Sequence, residues 1–231
     1  MTSFKTRLLQ AAKKKEHTVF ACDFGYDRID HALDAIEYLS SRICAVKLNF
    51  HLLLPLGAEH ISQITEAAHS LGLQCIADIK LNDIDSTNEA AAGVLCDMGF
   101  DALIANPIMG KSNMKKLTRT LHGRDCGIIS LCHMSASSAA ATYELPVTSD
   151  DRPTALYRVF LDIAAACSVD GIIVGATYPG VIKFCKDRHP DLVVLSPGVG
   201  AQGGVAQDAL SAGANYLIAG RSLIDSFEKK A

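Results

Sequence analysis

Tryptophan is missing from the 231 residues, and so are the spacings that mark common metal and redox centres. The eight cysteines (22, 44, 75, 96, 126, 132, 167 and 185) form no C-x-x-C, which argues against a zinc ribbon or a dithiol redox motif. The eight histidines form no H-E-x-x-H, and His51, His60 and His69 do not share a helical face at ligand spacing, so no metal site is expected. No uncharged apolar stretch reaches the ~18 residues that a membrane span needs. Residues 1–17 carry Lys and Arg and lack a continuous apolar stretch of the secretory kind, so a cytoplasmic setting is expected. A formal charge of −3 and a pI near 6.2 provide no strong basic field, so neither nucleic acid nor a membrane surface is an expected partner.

What the chain does have is apolar content, 49% hydrophobic against 20% charged, enough to bury a core and to disfavour disorder. Short apolar runs recur at 18–22, 43–46, 74–79, 102–105, 127–131, 171–174, 192–195 and 216–219. Most do not alternate, the pattern of parallel strands covered on both faces. Between them lie amphipathic segments. Ile29, Leu33, Ile36 and Leu39 share one helical face, with Asp30, Asp34 and Glu37 elsewhere, and 109–121 and 152–167 also read as helices. Eight strands alternating with helices predict an α/β fold, a (β/α)8 TIM barrel. The reading is a single domain over 1–231, with 1–16 as an N-terminal helical extension. An open doubly wound sheet is the structural rival. The longest connection contains a Ser/Ala-rich and then acidic segment, 135–151, expected to be a mobile loop beside a site.

Polar residues gather where the runs end. Asp23, Lys47, Asp78, Lys80, His133, Ser196 and Arg221 each stand at or just past the carboxyl end of an apolar run, the end of such a barrel that carries chemistry. In D-I-K-L-N-D-I (78–84), strand alternation points Asp78 and Lys80 to the same face, and Asp83 follows in the turn within reach of the same ammonium. A lysine held between carboxylates stays protonated and serves as cation and proton donor. The plainer reading is an ion pair closing the barrel mouth. Residues 198–203 spell G-x-G-x-x-G, but too little chain follows for a dinucleotide fold, and the position near Arg221 offers no acid for a ribose. A Gly-rich loop presenting backbone N–H groups to one phosphate, together with Gly220-Arg221-Ser222, fits better. Cys132-His133 reads as packing, since adjacent strand residues face opposite ways.

These residues together (Asp23, Lys47, D-I-K-L-N-D-I, S-P-G-V-G-A-Q-G-G at 196–204 and G-R-S at 220–222) resemble the orotidine 5′-monophosphate decarboxylase family from about residue 19 to 224. The resemblance implies decarboxylation of orotidine 5′-monophosphate to UMP without metal or organic cofactor. Lys47, Asp78, Lys80 and Asp83 would form a catalytic charge array. Asp23 would bind the ribose, Ser135 the pyrimidine edge, and Pro197 would lie beside the base. Gln202, Gly220 and Arg221 would grip the phosphate. It also implies a homodimer in which Asp83, Ile84 and Thr87 reach the partner's site. Ala136-Ser137-Ser138 departs from the His-Pro-Gly of many relatives. Rival readings are a Mg²⁺-dependent sugar-phosphate decarboxylase or aldolase of the same suprafamily, and a non-catalytic nucleotide-binding protein. The first uses an acid on the second strand, where this chain has Lys47.

Overall fold

A computed structural model describes residues 3–149 and 151–230, the Tyr26 side chain excepted. Its strands are β1 (Thr18–Ala21), β2 (Ala45–Asn49), β3 (Gln74–Leu81), β4 (Ala102–Ala105), β5 (Gly127–His133), β6 (Pro146–Ser149), β7 (Arg152–Ala155), β8 (Gly171–Val174), β9 (Val193–Pro197) and β10 (Tyr216–Ala219). Its helices are α1 (Phe4–Lys14), α2 (Ile29–Leu39), α3 (Phe50–Leu53), α4 (Ala58–Ser70), α5 (Asp85–Asp97), α6 (Lys111–His122), α7 (Ala140–Tyr143), α8 (Leu156–Ala166), α9 (Pro179–Arg188), α10 (Ala206–Ser211) and α11 (Arg221–Glu228). Eight strands, all parallel, close in the order β1-β10-β9-β8-β5-β4-β3-β2. This is the TIM barrel, and the open-sheet alternative is excluded because β1 pairs with both β2 and β10.

The unalternating runs are explained by burial. Every residue of β4, β5 and β8 is buried, with one face inside the barrel and the other under helices. The apolar stripe of α2 buries Ala32, Ala35, Ile36 and Leu39 against that outer face. At the opposite end of the barrel, α1 buries Phe4, Leu8, Ala11 and Ala12, with Phe4 packed over Gly127. Residues 3–16 therefore close the amino end of the barrel; Met1 and Thr2 lie outside the described residues. Truncating Phe4 to Ala would cost about 3 kcal/mol or more. No helix among the described residues is long and apolar enough to cross a membrane.

Two expected helix starts move, and one expected loop carries regular structure. The helix expected from 109 begins at Lys111, because Pro107–Met109 forms a separate 3-10 turn and Gly110 (φ +88) separates the two. The helix expected from 152 begins at Leu156, and Arg152–Ala155 instead pairs antiparallel with Pro146–Ser149. Pro153 suits an edge strand, where no backbone N–H is needed from it. The 135–151 segment expected to be a mobile loop therefore carries α7 and half of a hairpin, Asp150 lying outside the described residues.

Candidate active site

A cavity of about 550 Å³ opens at the carboxyl ends of the strands. Its floor is aliphatic, from Ile104, Leu131, Ile173 and Ile218, and its charged groups enter from β1, β2, β3 and the α11 start. Asp78 is the hub. Lys47 Nζ donates to Asp78 Oδ2 at 2.7 Å, and Lys80 Nζ donates to Asp78 Oδ1 at 2.7 Å. The Lys47 and Asp78 side chains are 6% and 9% exposed, whereas Lys80 is 35% exposed and faces the open cavity. Burial alone would raise the Asp78 carboxyl. The two ammonium groups more than offset this and hold it below its ordinary value.

Simple alternation does not by itself produce this geometry. The register of β3 on β4 shifts between Ala77 and Leu81, and Lys80 has a left-handed backbone (φ +46). A non-glycine residue in that region is uncommon and costs roughly 1–2 kcal/mol. After Leu81 the chain turns outward into α5. The Asp83 carboxylate accepts from its neighbour's Ile84 N at 2.6 Å, while Asn88 grips the Asp83 backbone N–H (3.0 Å) and C=O (2.5 Å). Asp83 consequently does not approach the Lys80 ammonium of its own chain, contrary to the expectation from the turn. Asp83, Ile84 and Thr87 are exposed and do not line the cavity.

The other expected site residues do line it: Asp23, Ser135, Pro197, Gln202, Gly220 and Arg221. Part of the Gly-rich loop's hydrogen-bonding capacity is used internally. The N–H groups of Gly200, Ala201, Gly203 and Gly204 all bond to carbonyls within the loop, at 2.8 to 3.0 Å, so they are not presented to a ligand. Gly198, Val199, Ala201 and Gln202 line the cavity there, together with Gly220 and Arg221 at the start of α11. Arg221 Nη2 donates to Ala201 O at 3.4 Å, which ties it to the loop. A helix start beside an arginine suits a phosphate.

Two strand-end residues fall elsewhere. Ser196 is fully buried and points to the helix layer, opposite Pro197. His133 is fully buried among the rings of Tyr143, Tyr157 and Tyr178 and does not line the cavity. Its neighbour Cys132 lies against Tyr157 O at 3.4 Å, so that pair is packing. Asn49 also lines the cavity, two residues along β2 from Lys47 and therefore on the same face of the strand. At the opposite end of the barrel, His69, Cys75 and Asp101 come close enough to suggest a metal site. Asp101 is already taken there by His69 (2.8 Å) and Arg7 (3.1 Å), and burial raises the Cys75 thiol well above its ordinary value. An arginine and an unionised thiol do not suit a cation.

Fold and site together define a barrel enzyme that works on a small phosphorylated substrate through charged groups at the carboxyl face. The family model described as "Orotidine 5'-phosphate decarboxylase / HUMPS family" matches residues 3–231, and the chain belongs to that family. An orotidine 5′-phosphate decarboxylase of Thermococcus kodakarensis is 32% identical over 202 residues, 87% of this chain and 86% of the relative. The crystal structure of orotidine 5′-monophosphate decarboxylase from Methanocaldococcus jannaschii complexed with inhibitor BMP superposes with a TM-score of 0.77. It is 26% identical, with 92% of this chain and 94% of that chain covered. The UMP synthase of Leishmania donovani shares the fold (TM-score 0.84, 24% identity), with 99% of this chain and 56% of that chain covered.

Proposed function

We infer that the protein is an orotidine 5′-phosphate decarboxylase, a carboxy-lyase that converts orotidine 5′-monophosphate to UMP in pyrimidine biosynthesis. The carrying observation is Asp78 held at 2.7 Å by both Lys47 and Lys80, all three lining the cavity and Lys80 the most exposed of them. Binding alone needs no such array, which disfavours a silent nucleotide-binding protein.

In this reading the C6–carboxylate bond breaks, CO₂ leaves, and the electron pair stays on C6, where no neighbouring carbonyl delocalises it. The Lys80 ammonium stabilises that pair and then transfers a proton to C6, leaving a neutral amine that solvent reprotonates. A charge already in place before the reaction needs no reorganisation at the transition state. Asp78 orients the ammonium and lies near the departing carboxylate, and Lys47 keeps Asp78 ionised. Ser135 and Pro197 meet the base, Asp23 the ribose, and Gln202, Gly220 and Arg221 the phosphate. Binding energy at the phosphate end orders the charged end.

The active form is a homodimer in this reading, with Asp83, Ile84 and Thr87 reaching the partner's cavity. It is supported by apolar side chains left exposed on the loops after β2, β3 and β4: Phe50 (44%), Leu54 (74%), Ile84 (65%) and Ile108 (59%). The whole chain then acts as one catalytic domain, and a reducing cytoplasm suits its unpaired cysteines.

Loss of orotidylate absorbance under purified protein, with and without EDTA, tests the assignment. Turnover unchanged by chelator is expected. Loss in EDTA and recovery with Mg²⁺ would transfer the chain to the metal-dependent branch, which Lys47 disfavours because its ammonium would repel the metal.

A further inference from the structure

Four successive carbonyls at the end of β5 each receive a side-chain donor. His133 Nδ1–H donates to Met134 O at 2.8 Å, and Thr177 Oγ1 donates to Ser135 O at 3.0 Å. The Tyr178 hydroxyl shares its proton between Ala136 O at 2.9 Å and Ser137 O at 3.2 Å. A segment of Ser and Ala without proline has no covalent restraint on its path, and loop carbonyls ordinarily turn to water. Here the restraint comes from the turn that follows β8. The Tyr178 ring is itself held in place, 4.3 Å from the His133 ring centroid.

The tethered segment carries Ser135, which is seated between two glycines. A Cβ on Gly175 would lie 2.5 Å from Ser135 Cα. One on Gly198, a residue with φ +93, would lie 2.7 Å from Ser135 Cβ and 3.1 Å from Gln202 Oε1. Ser135 thus touches the phosphate-end loop on one side and is anchored to the β8–α9 turn on the other.

We propose that Tyr178, assisted by Thr177, is a positioning residue for the reaction: its hydroxyl fixes the 135–137 backbone so that Ser135 meets the pyrimidine edge. The proposal rests on the assignment of Ser135 to the base. Tyr178 does not line the cavity, so it acts through the 135–137 segment that does.

The test compares Tyr178→Phe, Ser135→Ala and the double variant in the full-length enzyme. Tyr178→Phe keeps the ring on His133 and removes only the hydroxyl. It is expected to lower kcat/KM about tenfold, since misplacements of about 1 Å cost up to 10²-fold. Inhibition by UMP should weaken, whereas inhibition by ribose 5-phosphate, which lacks the base, and the melting temperature should stay at parental values. In the Ser135→Ala background the effect of Tyr178→Phe should vanish, because two residues on one path are not additive. Parental kcat/KM in Tyr178→Phe, beside a damaged Ser135→Ala, would overturn the proposal and leave the role of Ser135 standing. Equal weakening of both inhibitors with a lowered melting temperature would reduce Tyr178 to a structural role. A Ser135→Ala enzyme with parental kinetics would remove the assignment of Ser135, and the proposal with it.

Discussion

Lys80 Nζ meets Asp78 Oδ1 at 2.7 Å although the two residues are only two apart on β3, and the backbone at Lys80 is left-handed there. The strand gives up regular pleating at that point to aim an ammonium into the cavity beside its counter-charge. Strain of this kind persists where the surroundings hold it, and here Lys47 and Asp78 do so.

Lys80→Ala is expected to abolish turnover while UMP still binds. Loss of a preorganised charge acts on the transition state far more than on the product complex. Titration of UMP binding beside the absorbance assay separates the two, and turnover near that of the parent would remove Lys80 as proton donor.

Asp78→Asn should destabilise the fold by about 3 kcal/mol, because it leaves the buried Lys47 ammonium without a carboxylate. Urea unfolding gives the difference directly. A midpoint matching the parent would mean that the pair contributes no net stability.

The same carboxyl sets a direction for acid sensitivity. Its folded pKa lies below the unfolded value of about 3.9, so its stabilising contribution is complete above about pH 4. That contribution is lost as pH falls through the lower folded value. The parent should therefore lose stability more steeply than Asp78→Asn over the acid range. Parallel urea midpoints for the two proteins from pH 6 down to pH 3 would contradict the assignment.

Arg221→Ala should lower kcat/KM by about 10- to 100-fold, the size of a charge-assisted hydrogen bond at roughly 1.5–3 kcal/mol. Most of the loss should appear at low substrate concentration. An unaltered kcat/KM would take the phosphate away from the α11 start.

Mixing Lys80→Ala and Asp83→Ala subunits distinguishes a shared site from a self-contained one. If Asp83 serves its partner, a mixed dimer holds one intact site, and activity should return to about a quarter of the parental level in a random mixture. If each chain uses its own Asp83, both sites of the mixed dimer are damaged and no activity returns.

Much of the architecture was legible one residue at a time. The eight apolar runs, their lack of alternation and the helical stripes between them are local consequences of burial on two faces, and the strands lie where those runs lie. The collection of Asp23, Lys47, Asp78, Lys80 and Arg221 at one end followed from strand endings alone. The helix expected from 152 starts later because Arg152–Ala155 pairs with Pro146–Ser149, a contact that local patterning does not encode.

Chain composition and periodicity determined that a parallel barrel forms and which of its ends is charged, because both depend on near neighbours in the sequence. Tertiary packing decided the rest. It turned Ser196 to the helices and His133 into a cage of tyrosines, and it led Asp83 away from its own ammonium. It also brought Tyr178 to the carbonyls of 136 and 137 across 42 and 41 residues of chain. No local pattern encodes such contacts. They depend on where a bulge redirects a strand and on which loops a closed barrel brings side by side.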